Sequence, residues 1–108
     1  MPRINTREVH LFIAELQPFS SNGAISGDFD KLGDYVVKSY TTPIFIYQTQ
    51  TGKAFVNCER YSNTTSKHQS QVRLAVGKMD NITALEYLHE KEEFERLTGY
   101  HIRQGRLS

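Results

Sequence analysis

The sequence predicts an α+β domain: an N-terminal helix, a small three-stranded antiparallel sheet, and one or two C-terminal helices packed on it. Three observations lead there. Apolar residues recur at helical spacing between 9 and 16, β-branched and aromatic residues crowd the stretch 35–56, and helical spacing returns after 69. At 108 residues, the chain holds one domain with a single modest core.

Asn5-Thr6-Arg7-Glu8 has the spacing of a capping box, and Val9, Phe12, Ile13 and Leu16 follow at i, i+3, i+4 and i+7. Pro18, which lacks an N–H, is expected to end that helix, and Ser20–Gly23 with Ser26–Asp28 reads as a loop. Tyr35–Tyr40 and Ile44–Gln48 read as strands, with Pro43 opening the second. Thr49-Gln50-Thr51-Gly52 connects to a third strand, Lys53–Asn57, in a hairpin that sets Gln48 opposite Lys53, Tyr47 opposite Ala54 and Ile46 opposite Phe55. Both sheet faces are then apolar, so each needs a cover.

Ser66-x-x-Gln69 offers a helix cap, and Val72, Ala75, Val76 and Met79 continue at helical spacing until Gly77 and Asp80-Asn81 weaken it. Thr83-Ala84-Leu85-Glu86 is a second box, which predicts a last helix through Tyr87, Leu88, Phe94 and Leu97 to Gly99. The tail Tyr100–Ser108 either frays or docks on the sheet.

Apolar residues make up 38% of the chain and the mean hydropathy is −0.53, which fits a soluble protein. One cysteine excludes an internal disulfide, and neither a signal sequence nor a membrane span is legible, so a cytoplasmic setting is expected. Charge is uneven: residues 31–78 sum to +5, while 1–30 and 79–108 each sum to −2. The basic middle points weakly to a phosphate-bearing or acidic partner.

The densest polar stretch is Tyr61-Ser62-Asn63-Thr64-Thr65-Ser66-Lys67-His68-Gln69, followed by Arg73. At a helix N-terminus its hydroxyls either cap the helix's own N–H groups or, with Lys67 and Arg73, receive phosphate or carboxylate. Cys58 with His68 could form a thiol and base pair, but no orienting or oxyanion pattern accompanies it. The four histidines lack metal-ligand spacing, and no phosphate loop or hydrolase elbow is present. No enzyme activity and no cofactor is expected. Glu86, Glu90 and Glu93 would share one helical stripe, either solvated or standing in for phosphates against a basic groove. Phe45, Tyr47, Phe55 and Tyr61 near Lys53 and Arg60 have the ingredients of a base-stacking platform, with core packing the alternative.

Tyr35-Val36-Val37-Lys38-Ser39-Tyr40-x-Thr42-Pro43-Ile44, Gly52, Asn57 and Arg60-Tyr61-Ser62-x-Thr64-Thr65-Ser66-Lys67-His68-Gln69 together resemble a family of small uncharacterised proteins of bacteriophages and other mobile elements. The resemblance covers residues 33–73 as a βββα unit and leaves 79–108 as a variable helical segment. It implies a phage-type context, with no catalytic residues to carry over, and by analogy a binding protein that disables a host nucleic-acid-targeting system, such as an anti-CRISPR protein on a CRISPR effector. The alternative is a nucleic-acid-binding protein using residues 53–73. The expected interface residues are Arg60, Lys67, His68, Gln69 and Arg73 on the motif side and Glu86, Glu90 and Glu93 on the acidic side. A homodimer is compatible with an apolar second sheet face.

Overall fold

A computed structural model describes residues 3–21 and 23–99. Asn5 opens the first helical segment: its N–H donates to Glu8 Oε1 at 3.3 Å, and the Glu8 N–H donates to the Asn5 carbonyl at 2.9 Å. A 3-10 turn over Thr6–Glu8 runs into α1 (Val9–Ala14), which buries Val9 and Ile13. The helix stops short of Pro18. Leu16 takes a left-handed φ of 54°, and its N–H and that of Gln17 close on the Ile13 and Phe12 carbonyls, so a C-terminal turn rather than the proline ring ends α1.

The fold is α+β, but its sheet has six strands and not three: β1 (Phe19–Ser21), β2 (Ile25–Phe29), β3 (Tyr35–Ser39), β4 (Thr42–Gln48), β5 (Lys53–Asn57) and β6 (Ala84–Leu88). They lie in chain order, the first five antiparallel and β6 parallel to β5. The parallel step requires a crossover, supplied by α2 (Asn63–Val76). A third helix, α3 (Lys91–Thr98), follows β6.

The β4–β5 hairpin has the register expected from sequence, Gln48 to Lys53, Tyr47 to Ala54 and Ile46 to Phe55, with Gly52 at φ 78°. Between β3 and β4 the register shifts: Val37 pairs with Phe45 but Lys38 with Pro43, so Ile44 is the extra residue of a bulge. Ile44 and Phe45 both enter the same core cluster. The Pro43 ring sits beside this irregularity, where a missing donor is tolerated.

Three departures have physical causes. Ser20 to Asp28, expected as loop, contributes to β1 and β2. Gly27 is buried, and a Cβ there would collide with the Phe19 ring and the Tyr35 hydroxyl, so the small residue that reads as a loop signal is what lets two aromatic side chains cross the strand. The second departure is the Thr83 box, which does not start a helix. The Thr83 hydroxyl donates to the Thr51 carbonyl at 2.8 Å and its N–H to the Gly52 carbonyl at 2.8 Å, which pins the chain to the β4–β5 turn and starts β6. Third, α2 begins four residues earlier than the Ser66 cap predicts, with Ser62 as N-cap. The tail Tyr100–Ser108 lies outside the described residues.

Both faces of the sheet are covered. On one, α1 and α2 close over Tyr35, Val37, Phe45, Tyr47, Ala54 and Val56. On the other, Phe94 of α3 seals Val36, Ile46, Phe55 and Leu88. Burying one such phenylalanine stabilises the fold by about 1.5–3 kcal/mol, enough to hold a two-turn helix that could not persist alone.

Candidate interaction surface

The polar run that dominates the sequence turns inward. Ser62 Oγ accepts the Thr65 N–H at 3.1 Å and donates to Thr65 Oγ1 at 3.2 Å. Thr65 Oγ1 lies 3.0 Å from Ser39 Oγ, which lies 2.7 Å from His68 Nδ1. With Ser62 donating to Thr65, a proton direction consistent with all three hydroxyls runs on from Thr65 to Ser39 and from Ser39 to Nδ1, the His68 proton then being on Nε2. His68 is 4% exposed, and burial pushes its imidazole below the usual histidine range, which favours the neutral ring. Tyr40, a non-glycine residue at φ 57°, lays its ring beside the imidazole with centroids 6.2 Å apart.

Gln69 does equivalent work on the other side of α2. Its Nε2 donates to the Asn57 carbonyl at 2.7 Å and to the Glu59 carbonyl at 3.0 Å, fastening the helix to the end of β5 and the loop beyond. Asn57 donates in turn to the Pro43 carbonyl at 2.9 Å and to the Tyr61 hydroxyl at 3.0 Å, and its Oδ1 accepts the Glu59 N–H at 3.0 Å. Burial, opposed by the Asn57 hydrogen bond, raises the Tyr61 phenol, and Glu59, Glu95 and Glu92 push it the same way as burial. Motif hydroxyls, imidazole and amide together form a clasp that closes α2 onto β3, β4 and β5.

The residues expected at an interface therefore divide. His68 and Gln69 are buried in the clasp and are not surface contacts. Arg60, Lys67 and Arg73 are exposed, and among the described residues none of them forms an ion pair. Arg73 reaches Ser70 Oγ at 3.2 Å. Glu86, Glu90 and Glu93 do not share a helical stripe: Glu86 is on β6, Glu90 precedes α3, and Glu93 lies within α3, 3.8 Å from Arg96. They still border one region of the surface, since α3 packs on β5 and β6.

Two further arrangements are settled by position. Phe45, Tyr47 and Phe55 are core residues, so they offer no rings for base stacking. Cys58 and His68 have separate partners, Sγ near the Val56 carbonyl at 3.9 Å and Nδ1 on Ser39; burial raises the thiol against the opposing pull of Arg73. Among the described residues no three His, Cys, Asp or Glu side chains are grouped to hold a metal, and no helix is long and apolar enough to cross a membrane.

Sequence reasoning missed Ser39, Tyr40 and Glu59. Glu59 Oε1 accepts the Lys91 N–H at 2.8 Å and so caps α3 from 32 residues away, a contact no local pattern announces. Ser39 and Asn57 each carry a polar side chain at the buried end of an apolar strand, and that is the one signal available.

The chain belongs to a family of unknown function, DUF8033, whose model matches residues 14–94. The match takes in all six strands, α2 and the first half of α3. No curated protein and no solved structure matches the chain.

Proposed function

We propose that this chain is a non-enzymatic binding protein of mobile-element type that inhibits a host nucleic-acid-targeting defence, with a CRISPR effector as the leading partner. The observation that carries a binding role is the division of its polar residues. The motif's imidazole, amide and three of its hydroxyls hydrogen-bond within the clasp, whereas Arg60, Lys67, Arg73 and Glu86 stand exposed on a well-packed scaffold. The mobile-element context comes from the resemblance of residues 33–73, and the step from it to inhibition is analogy. A second reading, direct nucleic-acid binding, draws on the exposed Arg60, Lys67 and Arg73 but lacks the aromatic platform.

Affinity capture from a bacterial lysate, run with and without nuclease, separates the two readings. The inhibitor reading expects a defence effector that survives nuclease treatment. Recovery of nucleic acid alone, lost on nuclease treatment and falling steeply with salt, would overturn it in favour of the second.

A further inference from the structure

The sheet has one open edge with a specific pattern on it. β6 is the last strand, bonded only to β5, and among the described residues nothing pairs with its outer side. The phase of that edge follows from one bond: the Leu88 carbonyl accepts the Cys58 N–H at 2.7 Å. In a parallel ladder alternate residues turn both backbone groups the same way, so Glu86 and Leu88 face β5 while the N–H and C=O of Leu85 and Tyr87 face outward. The side chains alternate as well. Leu85 and Tyr87 stand beside Ala54 and Val56 on the α2 side of the sheet, yet they are 37% and 46% exposed. Glu86 stands beside Phe55 on the α3 side, also exposed. The edge carries neither lysine nor proline, the residues that commonly protect such strands.

A second copy of the chain fits this edge poorly. Only registers that keep each side chain on its own face are allowed. The antiparallel register that sets Leu85 against Tyr87 of a second copy places Glu86 directly opposite itself. Shifting by two residues sets Glu86 against Ala84 or Leu88 but keeps only one apolar pair, Leu85 with Leu85 or Tyr87 with Tyr87, and leaves the other residue opposite Thr83 or His89. A strand with a basic residue between two apolar ones meets every requirement at once: backbone bonds at Leu85 and Tyr87, apolar partners for both side chains, and a cation opposite Glu86.

We propose that β6 is a strand-addition site that takes an extended segment of a partner protein with the pattern apolar-basic-apolar. The proposal rests on the binding role above and specifies where the partner is read. The test uses the ¹⁵N-labelled full chain and a capped Thr-Val-Lys-Val-Thr peptide, with Thr-Val-Glu-Val-Thr as its counterpart. In the free chain the Leu85 and Tyr87 amides should exchange fast and those of Glu86 and Leu88 slowly. Millimolar lysine peptide should protect Leu85 and Tyr87 and bind about fivefold tighter than the glutamate peptide, the ratio expected when an opposite-charge cross-strand pair replaces a like-charge one. Glu86→Lys, an exposed change, should reverse the preference. Shifts confined to other parts of the chain, or equal binding of both peptides, would overturn the proposal. So would protection of Leu85 and Tyr87 that rises with protein concentration alone, since the occupant would then be a second copy. The two readings separate cleanly: a defence effector captured equally by the native chain and by Leu85→Lys leaves the inhibitor in place and removes the edge site. Peptide addition without a captured effector does the reverse.

Discussion

The two sides of β5 treat polar groups in opposite ways. Toward β4, its terminal residue Asn57 is drawn into the clasp, where buried donors and acceptors meet partners at 2.7–3.0 Å and α2 is fastened by its own side chains. Toward β6, the sheet ends in a strand whose outward groups and whose leucine and tyrosine meet solvent. The polar run that is most conspicuous in the sequence builds the first region, and a short stretch that reads as helix forms the second. Density of hydrogen-bonding residues thus marks a structural joint here, because a buried polar group has to be answered internally while an exposed one does not.

Removing the clasp should separate the two regions most sharply. Gln69→Ala leaves the Asn57 and Glu59 carbonyls without their buried donor, and chemical denaturation should show a loss of about 2–4 kcal/mol, within the cost of orphaned buried acceptors. Ser39→Ala breaks the hydroxyl chain in the middle and should cost about 1–3 kcal/mol. Ser62→Ala removes the N-cap bond from the Thr65 N–H together with the part-exposed hydroxyl bond to Thr65 Oγ1 and should cost about 1 kcal/mol. Glu86→Ala, on the open side, should change stability by less than about 0.5 kcal/mol while weakening the lysine peptide.

The clasp should also carry a pH signature that the edge lacks. Burial holds the folded-state value of His68 below the ordinary one of about 6.5, so the unfolded chain takes up its proton first as pH falls. The contribution of His68 is whole above that ordinary value and is lost as pH falls through the lowered folded-state value. Denaturation midpoints should therefore decline on acidification across that window, and His68→Gln should flatten this part of the profile.

How much of this was legible in advance depends on whether the deciding contact is local. Gly52 and the alternation around it fix the β4–β5 register, and the stripe Val72, Ala75, Val76 marks the buried face of α2, because both are set by neighbours in sequence. β1 and β2 were hidden since Ser-Ser and Ser-Gly-Asp carry no strand signal of their own and are held by pairing with β3 through β2. β6 was hidden for a related reason: Ala-Leu-Glu-Tyr-Leu suits a helix locally, and the bonds from Thr83 to the β4–β5 turn decide otherwise. The site divides in the same way. Exposed Arg60, Lys67 and Arg73 could be named from charge alone, whereas the burial of His68 and Gln69 depends on Ser39 and Asn57, 29 and 12 residues away.

Residue-resolved amide hydrogen exchange on the free chain tests the contrast most directly. The account predicts slow exchange in α2 over residues 66–76 and at Glu86 and Leu88, with Leu85 and Tyr87 fast between them. Fast exchange throughout α2, or equally slow exchange at all four β6 amides, would contradict a closed polar joint on one side of β5 and an open strand on the other.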